Sequence, residues 1–149
     1  MIRFFVYLIF TFTGLFLGGL FTNPGVMTEW YEALNKAPWT PPGWVFGLAW
    51  TIIGVTCSAW AMKVCHKSNE YLMRYWIIWI FNFAWNPIFF AAHNTTMAAV
   101  VISILLLLVV EVMVKTHREY GPEVSAWLLP YGIWLSIANS LNWYILLEN

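Results

Sequence analysis

Five runs of mainly apolar residues, each about as long as a bilayer-crossing helix requires, follow one another along this 149-residue chain. They fall at about 4–22, 44–64, 72–92, 97–115 and 123–147, and they leave one long connector, about 23–43. The expectation is a single-domain, all-α membrane protein, a five-transmembrane-helix bundle with a Pro/Trp-rich loop between helices 1 and 2. Charged residues make up 9% of the chain, against about 25% in soluble domains. So few charges cannot cover a water-facing surface, so lipid is the expected solvent. The formal net charge is zero, which gives no basis for a nucleic-acid partner.

With five spans the two termini lie on opposite faces. Arg3, Lys63, Lys67, Arg74, Lys115 and Arg118 then share the N-terminal face, and Lys36 stands alone on the other. Basic residues stay on the cytoplasmic side, so the N-terminus is expected inside and the first loop outside, in a bacterial inner membrane. The first run is longer than a signal-peptide core and lacks an A-x-A-like site, so it is read as a retained span. Cys57 and Cys65 stand eight residues apart in one run. That is about 12 Å along a helix, too far for a disulfide. Gly14 and Gly18 form a GxxxG, and Gly54 and Ser58 a small-xxx-small pair; both suit close helix approach inside the bundle.

Little in the sequence offers acid–base or metal chemistry. Glu111 is the one ionisable candidate inside a span, and Lys115, four residues on, is expected to pair with it at the interface. His66, His93 and His117 fall at predicted helix ends with no metal-ligand spacing, so no metal site is expected. A haem-ligand role for His93 stays open. No Ser-His-Asp arrangement, carboxylate pair or phosphate loop is present.

Aromatic and amide side chains remain. Asn82, Trp85 and Phe89 share one helical face, as do Tyr131, Trp134, Ala138 and Asn142, and Phe46, Trp50 and Gly54. Pro87 and Pro130 are expected to bend their helices. Each stripe alone also fits core packing. Together they suit an apolar cavity with a few placed polar groups. The connector, with Trp30, Tyr31, Leu34, Pro38, Trp39, Pro41, Pro42 and Trp44, is expected to be a stiff lid, since proline lowers the entropy lost on ordering. Trp39 and Trp44 are expected to face the cavity.

Three segments carry a resemblance. "WYEALNKAPWTPPGWVFGLAW", "NFAWNPIFF" and "PYGIWLSIANSLNW" resemble, in order, the first-loop, third-span and fifth-span signatures of the tryptophan-rich sensory protein/translocator protein (TspO) family, also called peripheral benzodiazepine receptors. The resemblance covers essentially the whole chain. It implies a five-helix bundle, commonly a homodimer, with a cavity under loop 1 for tetrapyrroles such as protoporphyrin IX and haem, for sterols, or for benzodiazepine-type drugs. The matching ligand-binding positions are Tyr31, Trp39, Pro42, Phe46, Trp50, Asn82, Trp85, Phe89, Trp134, Ala138 and Asn142. Bacterial members are also proposed to degrade porphyrin in light, which makes Trp50 and Trp134 the catalytic candidates.

The chain departs from the family pattern at Lys36-Ala37-Pro38-Trp39, where the proline has moved by one place, and at Ile78, where many bacterial members have glutamine. No Lys or Arg follows Tyr144, so the L/V-x-Y-x-K/R sterol pattern is unmet and tetrapyrrole is the favoured ligand. The expected function is a membrane receptor or carrier that takes porphyrin as ligand, requires no cofactor and touches membrane lipid. The alternatives are a light-dependent porphyrin-degrading enzyme and a structural or regulatory membrane subunit.

Overall fold

The computed structural model describes residues 2–149. Helix α1 spans Ile2–Gly25, α2 Glu29–Ala33, α3 Gly43–Val64, α4 Asn69–Asn86, α5 Thr95–Tyr120, α6 Pro122–Ser125 and α7 Leu129–Glu148; a π turn, Pro87–Ala91, follows α4, and a 3-10 turn, Ala126–Leu128, precedes α7. No strand occurs among the described residues. The five-helix expectation is thus right in class and too simple in detail. The connector contains a helix, α2, and the last expected span is divided into α6, a 3-10 turn and α7.

Local chemistry explains these boundaries. The Thr28 hydroxyl accepts from Tyr31 N and caps α2, and Asn94 Oδ1 accepts from Met97 N and caps α5. Gly121, at φ 84°, ends α5. The first run, expected to end at about residue 22, continues as helix to Gly25; Pro24 lies within its last turn, where the missing N–H costs one hydrogen bond. The regular α-helix ends at Asn86, just before Pro87. Pro87 cannot donate to the Phe83 carbonyl, and the Asn86 side-chain amide donates there instead at 3.4 Å, and to the Asn82 carbonyl at 3.1 Å. The backbone then widens into the π turn, with Ala92 N bonded to Pro87 O. Pro130 does not bend a continuous helix. It sits in the first turn of α7, where no N–H is needed.

The long helices close a ring. α1 packs on α3 and α4, α5 on α4 and α7, and α7 on α3. Gly18 lets α1 approach α4, since a Cβ there would lie 2.9 Å from Asn86 Nδ2; Gly54 lets α3 approach α1, since a Cβ would lie 2.9 Å from the Phe12 ring. Both small-residue motifs therefore serve packing inside the chain. Between α5 and α7, Trp143 Nε1 donates to Ser103 Oγ at 2.9 Å, and Ser103 Oγ donates to Asn139 Oδ1 at 2.7 Å. Cys57 and Cys65 are free and buried.

Trp60, Tyr71, Tyr75, Leu105, Val109 and Tyr131 form the buried interior, whereas Phe5, Ile9, Phe16, Ile80, Leu107 and Ile133 point outward. An outer surface of that kind needs lipid. By length and composition, α1, α3 and α5 are long and apolar enough to cross a membrane.

Charges gather at the end of the bundle away from α2. Arg74 of α4 bonds Glu70 at 2.8 Å and both oxygens of Glu111 at 3.1 Å, and Lys115 bonds Glu119 at 2.8 Å and Glu70 at 3.2 Å. The expected Glu111–Lys115 pair is not formed. Arg74 takes Glu111 because its planar guanidinium meets both carboxylate oxygens at once, and Lys115 turns to Glu119 one helical turn on.

Candidate ligand site

The inward faces of α3, α4 and α7 meet along an aromatic seam. Phe46 of α3 stands edge-on to Trp134 of α7, with centroids 5.0 Å apart. Trp50, one turn along α3, lies 6.4 Å from Trp134 and 6.1 Å from Tyr131, also edge to face. This is the arrangement that the ring quadrupoles favour. Trp134 is buried and Trp50 half-buried. Trp50 also borders a cleft of about 330 Å³ between α1 and α3, lined among others by Phe12, Leu15, Phe16 and Thr51.

The amides cross the seam. Tyr131 donates its hydroxyl to Asn82 Oδ1 at 3.1 Å, and Trp85 Nε1 donates to Asn142 Oδ1 at 3.0 Å. Asn142 returns its own N–H to the Ala138 carbonyl at 2.8 Å. In a lipid-surrounded core an unpaired amide is costly, so each finds a partner on a facing helix or in its own. Asn82→Leu is expected to strand the Tyr131 hydroxyl and lower stability by about 1–3 kcal/mol, measured by thermal unfolding in detergent.

Towards the loop, Trp85 stacks on Phe89 at 5.0 Å and 15°. The π turn presents Phe89 and Phe90 to Tyr31 of α2, at 6.4 and 5.7 Å. Burial pushes the Tyr31 phenol above its ordinary pKa, so it stays a neutral donor at physiological pH. Lys36 Nζ lies 4.5 Å over the Tyr31 ring, and of the seven Lys and Arg residues it alone sits at this end.

Nine of the eleven expected positions thus lie along the seam or at its loop end: Tyr31, Phe46, Trp50, Asn82, Trp85, Phe89, Trp134, Ala138 and Asn142. The other two lie apart from it. Pro42 is exposed at the N-cap of α3, its carbonyl accepting from Val45 N. Trp39 is 54% exposed and lies along α7, its indole N–H donating to Ser140 Oγ at 3.1 Å and its ring edge-on to Tyr144. Trp44 corrects the lid expectation more sharply. It is 70% exposed, because it occupies the first turn of α3 on the outward face. Exposed indoles at a helix end suit the interface that amphipathic rings favour.

Four contributors fall outside the expected ligand positions. Tyr131 was placed on a stripe but not among the ligand positions, although its hydroxyl ties α7 to Asn82. Ser140 and Asn149 hold the loop across more than a hundred residues of sequence, and no local pattern announces such a contact. His93, at φ 51°, lays its ring flat on Trp30, centroids 4.0 Å apart and planes 9° apart. A polar residue ending a helical run before a cap residue was its one sequence signal.

Lipid-facing outer surfaces, polar groups paired inside the ring and spans of membrane length define an integral membrane protein of the helical-bundle class. The chain belongs to the TspO/MBR family, whose match extends over residues 5–147. It is 35% identical over 120 residues to the tryptophan-rich sensory protein of Cereibacter sphaeroides, covering 76% of this chain and 73% of that one. It is 32% identical over 139 residues to the tryptophan-rich protein TspO of Archaeoglobus fulgidus, covering 90% and 88%. It is 27% identical over 143 residues to the human translocator protein, covering 91% and 83%. The resemblance drawn from the three motifs therefore holds across the chain.

Proposed function

We propose that this membrane protein is a receptor or carrier for porphyrin-like ligands, with a sensory or transport role, and that the seam of α3, α4 and α7 is its binding site. The observation that carries the reading is the convergence of Phe46, Trp50, Trp85 and Trp134 with Asn82 and Asn142 beneath a proline-stiffened loop. A planar apolar ligand gains from such rings by stacking, about 0.5–1.5 kcal/mol for each beyond burial. The edge-to-face pair Trp50–Trp134 has to open for a macrocycle to enter. Trp50 is the ring able to turn, since it is half-buried and borders the α1–α3 cleft. Lys36 supplies a positive charge for one ligand carboxylate at the loop end.

In this proposal all five long helices span the bilayer, α4 and α7 hiding their amides and hydroxyls inside the ring. The basic end lies in the cytoplasm of a bacterial inner membrane, the loop lies outside, and the protein works as a homodimer. Titration with protoporphyrin IX is expected to quench tryptophan fluorescence saturably. The double variant Trp50→Phe, Trp134→Phe is expected to bind at least tenfold more weakly, a change of about 1.4 kcal/mol. Undiminished affinity in the double variant would place the ligand elsewhere.

A second reading is light-dependent oxidation of the bound pigment, favoured by two oxidisable indoles whose centroids lie 6.4 Å apart. It predicts one defined product on illumination, lost in Trp134→Phe; unselective bleaching would exclude it.

A further inference from the structure

Asn35 and Asn149 are 114 residues apart in sequence and exchange hydrogen bonds. Asn35 N–H donates to Asn149 Oδ1 at 2.9 Å, Asn149 Nδ2 donates to the Asn35 carbonyl at 3.3 Å, and Asn35 Nδ2 donates to the Glu148 carbonyl at 2.9 Å. Asn149 Nδ2 also reaches the Ile145 carbonyl at 2.9 Å, which fixes the side chain to α7. Four residues beyond Asn35, Trp39 bonds Ser140 and rests its ring against Tyr144. Ser140, Tyr144 and Glu148 recur every four residues, so one stripe of α7 runs beneath the loop.

The loop is therefore held on two sides by different chemistry. Its α2 half is held by rings, Trp30 and Tyr31 against His93, Phe89 and Phe90. Its proline half is held by hydrogen bonds at exposed positions, Asn35 and Asn149 among them, and by one ring contact, the exposed Trp39 edge-on to Tyr144. Exposed hydrogen bonds contribute little net energy because water competes for both partners. The proline half is thus the edge that opens first, with Lys36 carried on it between Asn35 and the buried Ala37.

We infer that Asn149 is a positioning residue for the candidate site: it clasps the proline half of the loop to α7, and release of that clasp sets how often the loop opens. The part that concerns ligand exchange rests on the proposed function; the clasp itself does not.

Hydrogen–deuterium exchange of the full chain in lipid nanodiscs, without ligand, tests the clasp. Asn149→Ala is expected to speed exchange of the loop amides at 35–40 about tenfold, the scale of a lost net hydrogen bond or two, while α3 and α5 keep their protection. Asn35→Ala, which removes only the bond to Glu148, is expected to speed it less. The double variant is expected to exceed Asn149→Ala by little, because both act on one contact. Unchanged loop exchange in Asn149→Ala overturns the clasp. Should that variant not fold, Asn149→Asp, which keeps an oxygen for the Asn35 N–H and loses the amide donor to the Asn35 carbonyl, decides by the same reading, with unchanged exchange again overturning the clasp. The rate at which protoporphyrin IX leaves the nanodisc-bound protein is expected to rise in step with loop exchange; faster loop exchange with an unchanged release rate overturns the role in ligand exchange. Absence of porphyrin binding by the unsubstituted chain would sink the ligand-site reading, and amide exchange would still decide the clasp.

Discussion

Trp134→Ala is expected to destabilise the protein by about 3–5 kcal/mol, the range for removing a large buried aromatic side chain. Trp134 is 5% exposed and contacts Phe46 and Trp50 from α3. Truncation would leave a void lined by those two rings, and neither can collapse into it without breaking contacts of its own: Phe46 is set by the first turns of α3, and Trp50 also meets Tyr131. Unfolding in detergent by heat or by denaturant measures the loss. Trp134→Phe keeps a ring of smaller area and is expected to lose far less stability while, under the proposed function, weakening porphyrin binding. The two variants separate the structural contribution of the indole from its contribution to the ligand. A loss below about 1 kcal/mol in Trp134→Ala would mean that the seam is loosely packed.

Gly25→Val is expected to cost about 3 kcal/mol, the upper part of the range for overpacking. Gly25 is buried where α1 ends against the π turn. A Cβ at that position would lie 2.6 Å from Phe90 Cγ and 2.7 Å from Phe90 Cβ. Contact with a Cβ cannot be relieved by turning the ring alone; the backbone of the π turn has to move. Phe90 packs on Tyr31, Trp85 and Phe89, so the disturbance reaches the docking of α2. Increased proteolysis within the connector, together with a lowered melting temperature, is the expected signature. A variant with unchanged stability would show that α1 and the π turn separate easily.

Much of this architecture was legible because lipid makes the sequence rules strict. Apolar runs of spanning length have few other uses, and the stripes Asn82–Trp85–Phe89 and Tyr131–Trp134–Asn142 follow from helical geometry alone. What could not be read were the places where one residue answers another from a distant part of the chain. Nothing near Pro87 says that Asn86 will cover the carbonyl that proline leaves free, or that the backbone will widen there into a π turn. Nothing near Glu111 says that Arg74, 37 residues earlier, outcompetes Lys115. Trp44 was misjudged for a different reason: a tryptophan beside prolines suits a lid and a membrane boundary equally, and only the direction of its position on α3 decides between them. The loop's attachment to α7 belongs to the first kind, since Asn35 and Asn149 meet only once the ring has closed.

The Trp143–Ser103–Asn139 chain has a mechanical consequence. Sliding α7 past α5 by one helical turn, about 5.4 Å, would strip both hydrogen bonds and leave an indole N–H facing hydrocarbon without an acceptor. The two helices are thereby fixed in register and behave as a stator. α1 is attached differently, through glycine contacts to α3 and α4, through rings that meet α4, such as Phe10 on Trp76 at 4.3 Å, and through hydroxyl bonds to α4 such as Thr22 to Asn86 at 2.7 Å. Motion of the helices themselves, as distinct from opening of the loop edge on α7, is therefore expected on the α1–α3 flank, where no side-chain hydrogen bond joins the pair among the described residues, with the α5–α7 pair as the frame against which it is measured.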